Sequence, residues 1–159
     1  MLIISRYIHL LSIVVWIGSI VFFSFIGAPA IFRTLDRQAA GDVVGAIFPK
    51  YFMLWQVCSV LSILTLLHVG FVTGFSSSVK VGLVILALMG GITAYSSLVN
   101  GPQAREVKTQ IRTETDEVKK EELKKKFGRL HGISMVLNIA TLILGLVLIY
   151  FVIRYLPAS

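Results

Sequence analysis

Four stretches of the chain carry no Asp, Glu, Lys or Arg: residues 7–32, 51–79, 81–104 and 130–153. Each exceeds the about 20 residues that an α-helix needs to cross about 30 Å of hydrocarbon. The runs are continuously apolar, whereas barrel strands are shorter and alternate apolar with polar residues. The pattern therefore predicts an all-α integral membrane four-helix bundle, one domain over residues 1–159, with helices at about 2–28, 52–74, 81–99 and 132–153. The first apolar run is longer than the about 7 to 15 residues of a signal-peptide core, and no convincing cleavage pattern follows it. Gly27-Ala28-Pro29 is expected to end the first helix, and Asn100-Gly101-Pro102 the third.

Between the third and fourth spans, residues 103–130 are polar but periodic. Val107, Ile111, Val118, Leu123, Phe127 and Leu130 recur at helical steps, giving a long amphipathic cytoplasmic segment. A break is expected near Thr113 to Asp116, which have the spacing of a helix N-cap box. Gly82, Gly90 and Gly91 make a small-residue face on the third helix, suited to close helix contact.

Composition strengthens this picture. Of 159 residues, 56% are hydrophobic and 14% charged, against about 25% charged in soluble domains. Charge then sets the orientation. Twelve of the fifteen Lys and Arg fall in the loops 31–50 and 103–129, leaving Arg6, Lys80 and Arg154 on the other side. By the positive-inside rule both termini face away from the cytoplasm. The basic run 119–129 is expected to lie on anionic lipid headgroups, each cation near the surface contributing about 1 kcal/mol. Nucleic-acid binding is disfavoured, because six acidic residues from Glu106 to Glu122 dilute the same segment.

Polar groups are costly in hydrocarbon, so those retained there mark candidate chemistry. His9 is expected about 3 to 10 Å inside the outer end of the first helix and His68 about 9 Å inside that of the second. Two imidazoles at one level of a bundle have the arrangement of axial haem ligands. Arg6, Lys80 and Arg154 would then meet the propionates, and Trp16, one heptad from His9, would pack on the ring. The plainer reading gives each His an interhelical hydrogen bond to Ser12, Ser62 or Thr65. His131 stands at the opposite end, too far to share a metal with the other two; it would ligate a second haem, with Met53 or a second subunit of a homodimer as sixth ligand, or simply hydrogen-bond at the interface. Asn138 is expected to hold a helix contact. Cys58, Met53, Met89 and Met135 would suit copper chemically but do not converge in sequence. No charged residue enters a span, which argues against a proton-relay antiporter. There is no carboxylate pair, phosphate loop or serine elbow, so any enzyme here would be a haem-dependent oxidoreductase.

His9, Trp16, Gly18 and Ala28-Pro29, the loop 32–41, the run Phe48-Pro49-Lys50-Tyr51-Phe52, Asn100-Gly101-Pro102, and residues 127–134 with Asn138 resemble the transmembrane protein 205 family. That resemblance implies a four-span protein of poorly defined biochemistry, whose animal member is linked with platinum-drug resistance. The first helix is also similar to those of copper-resistance protein D and HemJ-type proteins, and the latter similarity implies a haem-ligand role for His9. The absence of Lys and Arg from the spans departs from HemJ and puts protoporphyrinogen oxidation in doubt. The sequence thus leads to a b-type haem protein, cytochrome b-like, with one or two haems per chain, for electron transfer or redox handling of a small molecule. A transporter or resistance protein for metal ions or small solutes and a non-catalytic membrane scaffold are the alternatives.

Overall fold

In a computed structural model, residues 1–156 are described, and apart from short connections they are helical. Helix α1 (Leu2–Phe22) passes through a π-turn (Phe23–Gly27) into α2 (Ala28–Thr34); α3 is Arg37–Thr73. Helix α4 (Ser77–Tyr95) likewise passes through a second π-turn (Ser96–Asn100) into α5 (Gly101–Thr113), and α6 is Glu117–Tyr155. Four rods result, Leu2–Thr34, Arg37–Thr73, Ser77–Thr113 and Glu117–Tyr155, each long and apolar enough to cross a membrane. By length and composition the chain is a multi-pass helical membrane protein.

The rods run further than the apolar pattern predicts. Three of the starts are fixed by side chains that cap free backbone amides. Asp36 accepts from the amides of Gln38 and Ala39, Ser76 from Val79, and Asp116 from Val118 and Lys119. The expected break between the third and fourth spans is therefore present, but its cap is Asp116 rather than Thr113. Residues 103–113 finish the third rod and 117–130 begin the fourth, so the amphipathic stretch forms the ends of two spanning helices rather than a separate element. Charged residues hide such continuity in a hydropathy pattern because a helix does not stop where the bilayer does. At the other end of α3, Gly74 takes φ 94°, a conformation that glycine adopts without Cβ strain.

Pro29 and Pro102 do not end their helices. A helical proline has no N–H and its ring crowds the carbonyl four residues back, so the chain widens by one residue before each of them. Ala28 N–H reaches Phe23 O and Gly101 N–H reaches Ser96 O, both across five residues. The two π-turns share a spacing: Ser24-Phe25-Ile26-Gly27-Ala28-Pro29 and Ser97-Leu98-Val99-Asn100-Gly101-Pro102. Each half of the chain is thus a rod widened at a Ser-to-Pro π-turn, followed by a long rod capped by Asp, and the two halves run in the same direction.

Neighbouring rods are antiparallel in the order first, second, third, fourth, and the closing contact of α1 with α6 is the thinnest. The core is formed by Ile13, Trp16, Ile17 and Ile20 of α1, Trp55, Leu66 and Val69 of α3, Leu86 and Met89 of α4, and Leu148 and Val152 of α6. Gly82 makes one close approach possible, since a Cβ there would lie 2.9 Å from the Tyr155 ring and 3.1 Å from Leu66. The expected small-residue face is used at Gly82 and Gly90, whereas Gly91 faces open space.

Candidate functional site

Two groups of polar side chains, at opposite ends of the bundle, are the candidate sites. At the end where α1 starts and α6 finishes, His9 is fully buried and both its nitrogens are engaged. Nδ1 lies 3.1 Å from the carbonyl of Ser62 and 3.1 Å from Thr65 Oγ1. A carbonyl only accepts, so Nδ1 carries the proton and Nε2 accepts from the Tyr155 hydroxyl at 2.7 Å. His68 Nδ1 lies 2.8 Å from Ser5 Oγ. Ser5 precedes His9 by four residues on one helix face, so the two imidazoles are offset by about one turn, roughly 5 Å along the axis. Sequence reasoning named Ser62 and Thr65 as partners of a histidine but missed Tyr155, whose only signal is its place at the end of the last apolar run.

Of the three cations expected beside those histidines, Arg154 lies over the Tyr150 ring, 5.8 Å from its centroid, and donates to the Tyr150 hydroxyl. Lys80 is exposed, and Arg6 is partly buried with its Nε unpartnered. Trp16 is a core residue with no exposed surface. Among the described residues no three of His, Cys, Asp and Glu come together as a metal cluster. Met53 is exposed, Met89 is in the core and Met135 is exposed on α6, so the methionines and Cys58 do not converge.

At the basic end the two π-turns flank a cavity of about 580 Å³. One wall is an aromatic face of α3, where Phe48, Tyr51, Phe52 and Trp55 recur at helical spacing. Phe48 and Phe52 stack at 5.5 Å with an interplanar angle of 11°, and Tyr51 meets Trp55 at 4.4 Å. Two hydrogen bonds pin this face to α1: Trp55 Nε1 donates to Ser19 Oγ at 3.0 Å, and the Tyr51 hydroxyl donates to Ser19 O at 3.3 Å. A second wall is the first π-turn with α2, through Phe23, Phe25, Pro29 and Phe32; the third is α6, through His131, Ser134, Met135, Asn138 and Ile139.

Three of the cavity's polar side chains, His131, Ser134 and Asn138, stand on α6, and Ser24, Tyr51 and Ser96 line the other walls. Asn138 Nδ2 donates to Ser24 Oγ at 2.9 Å, crossing the thin contact between the first rod and α6, as the sequence led one to expect of Asn138. His131 is exposed at the rim, its ring parallel to that of Phe127 at 6.4 Å. Among the described residues no Asp, Glu, Lys or Arg lines the wall. In the π register the Ser24 carbonyl would be assigned to the amide of residue 29, and Pro29 has none.

A comparison of the two π-turns explains why the space lies beside the first. In the second, Asn100 is buried and its Nδ2 donates to Leu130 O at 3.2 Å and to Ser134 Oγ at 2.6 Å, closing that turn onto α6. The equivalent position of the first turn is Gly27, which has no side chain to make such a bridge. Phe25, Met135 and Ile139 border the resulting gap and are exposed on the outer surface. The cavity therefore opens sideways, between the first rod and the last.

Beyond the cavity, Asp42 near the start of α3 accepts from Lys108 Nζ at 2.7 Å and from Arg112, both on α5. These hydrogen bonds hold its carboxyl below the usual carboxylate range, Lys108 first and Arg112 next. The pair ties the second rod to the third on the surface of the basic end.

Such a bundle, four rods with a side-opening aromatic cavity, defines a class of polytopic helical membrane protein. The chain belongs to the family described as domain of unknown function (DUF4149), whose pattern matches residues 11–113 and so takes in both π-turns and the aromatic face of α3. It is 53% identical over 45 residues to a protein of Aquifex aeolicus (strain VF5) described as "Uncharacterized protein", a stretch that is 28% of this chain and 33% of that one. The chain thus matches about a third of the length of that relative. No solved structure matches it.

Proposed function

We propose that this chain is a membrane binding protein for a neutral, lipid-soluble small molecule, taken sideways from the bilayer into the cavity at the basic end. The observation that carries this reading is the cavity itself. Its size lies within the about 300 to 1,000 Å³ usual for small-molecule sites, and its walls are mainly apolar with a few grouped polar atoms. The same geometry suits a carrier or a resistance protein better than a channel, because no polar file of charged side chains crosses the bundle. The Lys and Arg count supports placing the basic end in the cytoplasm, with the exposed run 119–129 on anionic headgroups and both termini on the far side.

The reading is tested by thermal unfolding of the detergent-purified protein with and without an organic extract of its host membranes. A ligand that binds only the folded state raises the unfolding temperature. The extract is expected to raise it for the wild-type chain but not for Met135→Trp, which fills the cavity from its mouth. No shift with the wild type would remove the reading.

Haem binding through histidine is the second reading, which rests on the similarity of the first helix to HemJ-type proteins. Its best-placed imidazole is His131, beside an aromatic cavity and without a side-chain partner among the described residues. The fit is poorer elsewhere. Ligation by His9 would require loss of the Tyr155 hydrogen bond, and Arg6, Lys80 and Arg154 lie at the other end from His131. A Soret band with sharp reduced α and β bands in the purified protein would establish this reading; a colourless protein made under adequate haem supply would remove it.

A further inference from the structure

Resting on the cavity reading above, we infer that the occupant is a ring-bearing, uncharged amphiphile of the quinone class, its ring against the α3 aromatic face and a ring oxygen at His131. Three features of the wall lead to this class. Charge comes first. A phospholipid headgroup carries a phosphate, and binding it out of water requires a cation to offset the desolvation. The cavity wall has no Lys or Arg, although the chain has fifteen of them and most stand at this end. The wall has no carboxylate to receive an amine either. The occupant is neutral.

Shape comes second. A plain acyl chain is satisfied by aliphatic walls, yet Phe48, Tyr51, Phe52 and Trp55 present four rings on one helix face, with Phe23 completing the group at 5.6 Å from Phe48 and 5.2 Å from Tyr51. Aromatic side chains favour offset-stacked or edge-on contact with another ring. Two of these rings are held in place by Ser19, so the wall is preorganised for a flat group.

Polarity comes third. The wall has few polar side chains: His131, Ser134 and Asn138 stand together along α6, and Ser24, Tyr51 and Ser96 are spread over the other walls, where the Tyr51 hydroxyl is tied to Ser19. Ser134 and Asn138 are already tied to Asn100 and Ser24. His131 has no hydrogen-bond partner among the described residues, and its ring nitrogens can donate to a carbonyl or accept from a hydroxyl carried on a ring. The sideways opening past Phe25 and Ile139 admits the hydrocarbon tail of such a molecule, which stays in the bilayer.

The experiment is isothermal titration of the detergent-purified full chain with three probes: decylubiquinone, 1-decanol as a chain without the ring, and dioleoyl phosphatidylglycerol as an anionic lipid. Decylubiquinone is expected to bind saturably at one per chain and at least tenfold more tightly than either other probe. His131→Ala, an exposed position whose replacement leaves the core intact, is expected to weaken it about three- to tenfold, the worth of one hydrogen bond. Met135→Trp is expected to abolish it. Equal binding of decylubiquinone and decanol, with no effect of His131→Ala, would overturn the ring class while leaving the cavity as a site for chains. Tighter binding of the anionic lipid would overturn neutrality. Binding of all three unchanged by Met135→Trp would sink the cavity reading itself.

Discussion

Asn138 on the last helix donates to the Ser24 hydroxyl in the first π-turn, 114 residues away in sequence and 2.9 Å away in space. It is the hydrogen bond that crosses the cavity's lateral gap, so it acts as a latch between the first rod and the last. Interhelical hydrogen bonds in membranes contribute about 0.6 kcal/mol on average. Asn138→Leu is therefore expected to lower stability by less than about 1 kcal/mol but to speed ligand release several-fold. Dissociation rates of the bound molecule, measured by rapid dilution into empty micelles, check this; an unchanged rate would mean the latch does not gate the site.

The contrast with Asn100 gives a second expectation. Its amide makes two buried hydrogen bonds to α6, to Leu130 O and Ser134 Oγ, and closes the second π-turn. Asn100→Leu leaves the Leu130 carbonyl without that donor and should cost about 1 to 2 kcal/mol. Chemical unfolding in mixed micelles measures it. A loss no larger than that of Asn138→Leu would show that the second turn is held by packing alone.

His9 belongs to a structural network in this fold. Tyr155→Phe removes the donor to Nε2 and is expected to destabilise by about 1 kcal/mol, without changing binding in the cavity at the other end. Gly82→Ala should do the same by steric means, since the new methyl would meet the Tyr155 ring at 2.9 Å. Thermal unfolding and ligand titration of both variants separate the two effects. If either variant removed a haem absorption band from the purified protein, His9 would be a ligand after all.

At the surface of the basic end, Asp42 is held below the usual carboxylate range by Lys108 and Arg112. A carboxylate with a depressed value in the folded state contributes stability that is present above its unfolded value and is lost as pH falls through the folded one. The tie between α3 and α5 is thus complete at neutral pH and fails only on acidification below the ordinary carboxylate range. Asp42→Asn should reproduce the acid state at neutral pH. Tryptic cleavage after Arg105, Lys108 and Arg112 is expected to quicken in that variant, and unchanged cleavage would contradict the tie.

Much of the fold was legible because charge is forbidden where the bilayer core lies. The four charge-free runs located the four rods, and the polar residues Asn138, Ser62 and Thr65 were flagged simply for being there. Rod lengths were not legible. Asp36 and Asp116 start α3 and α6 well before the apolar runs begin, and nothing in hydropathy records a helix that continues into water. The prolines were read as stops because a proline cannot continue an α register, yet a single widened turn lets the chain pass Pro29 and Pro102. His9 and His68, expected at one level, stand about one turn apart. What a sequence pattern does not carry is the rotation of each helix, and rotation sends His9 to Tyr155 and assembles Phe48, Tyr51, Phe52 and Trp55 as one wall. The second occurrence of Ser-to-Pro spacing, with Asn100 in one copy and Gly27 in the other, was readable in principle and marks the side on which the cavity opens.

The most direct test of the cavity as a binding site is to weigh what leaves the membrane with the protein. Wild-type and Met135→Trp chains, purified identically in mild detergent, are extracted with organic solvent, and the neutral lipid-soluble fraction is quantified by mass spectrometry against protein. The expected result is close to one neutral molecule per wild-type chain and almost none per variant chain, with equal phospholipid on both. Equal neutral extracts from the two proteins would contradict the account.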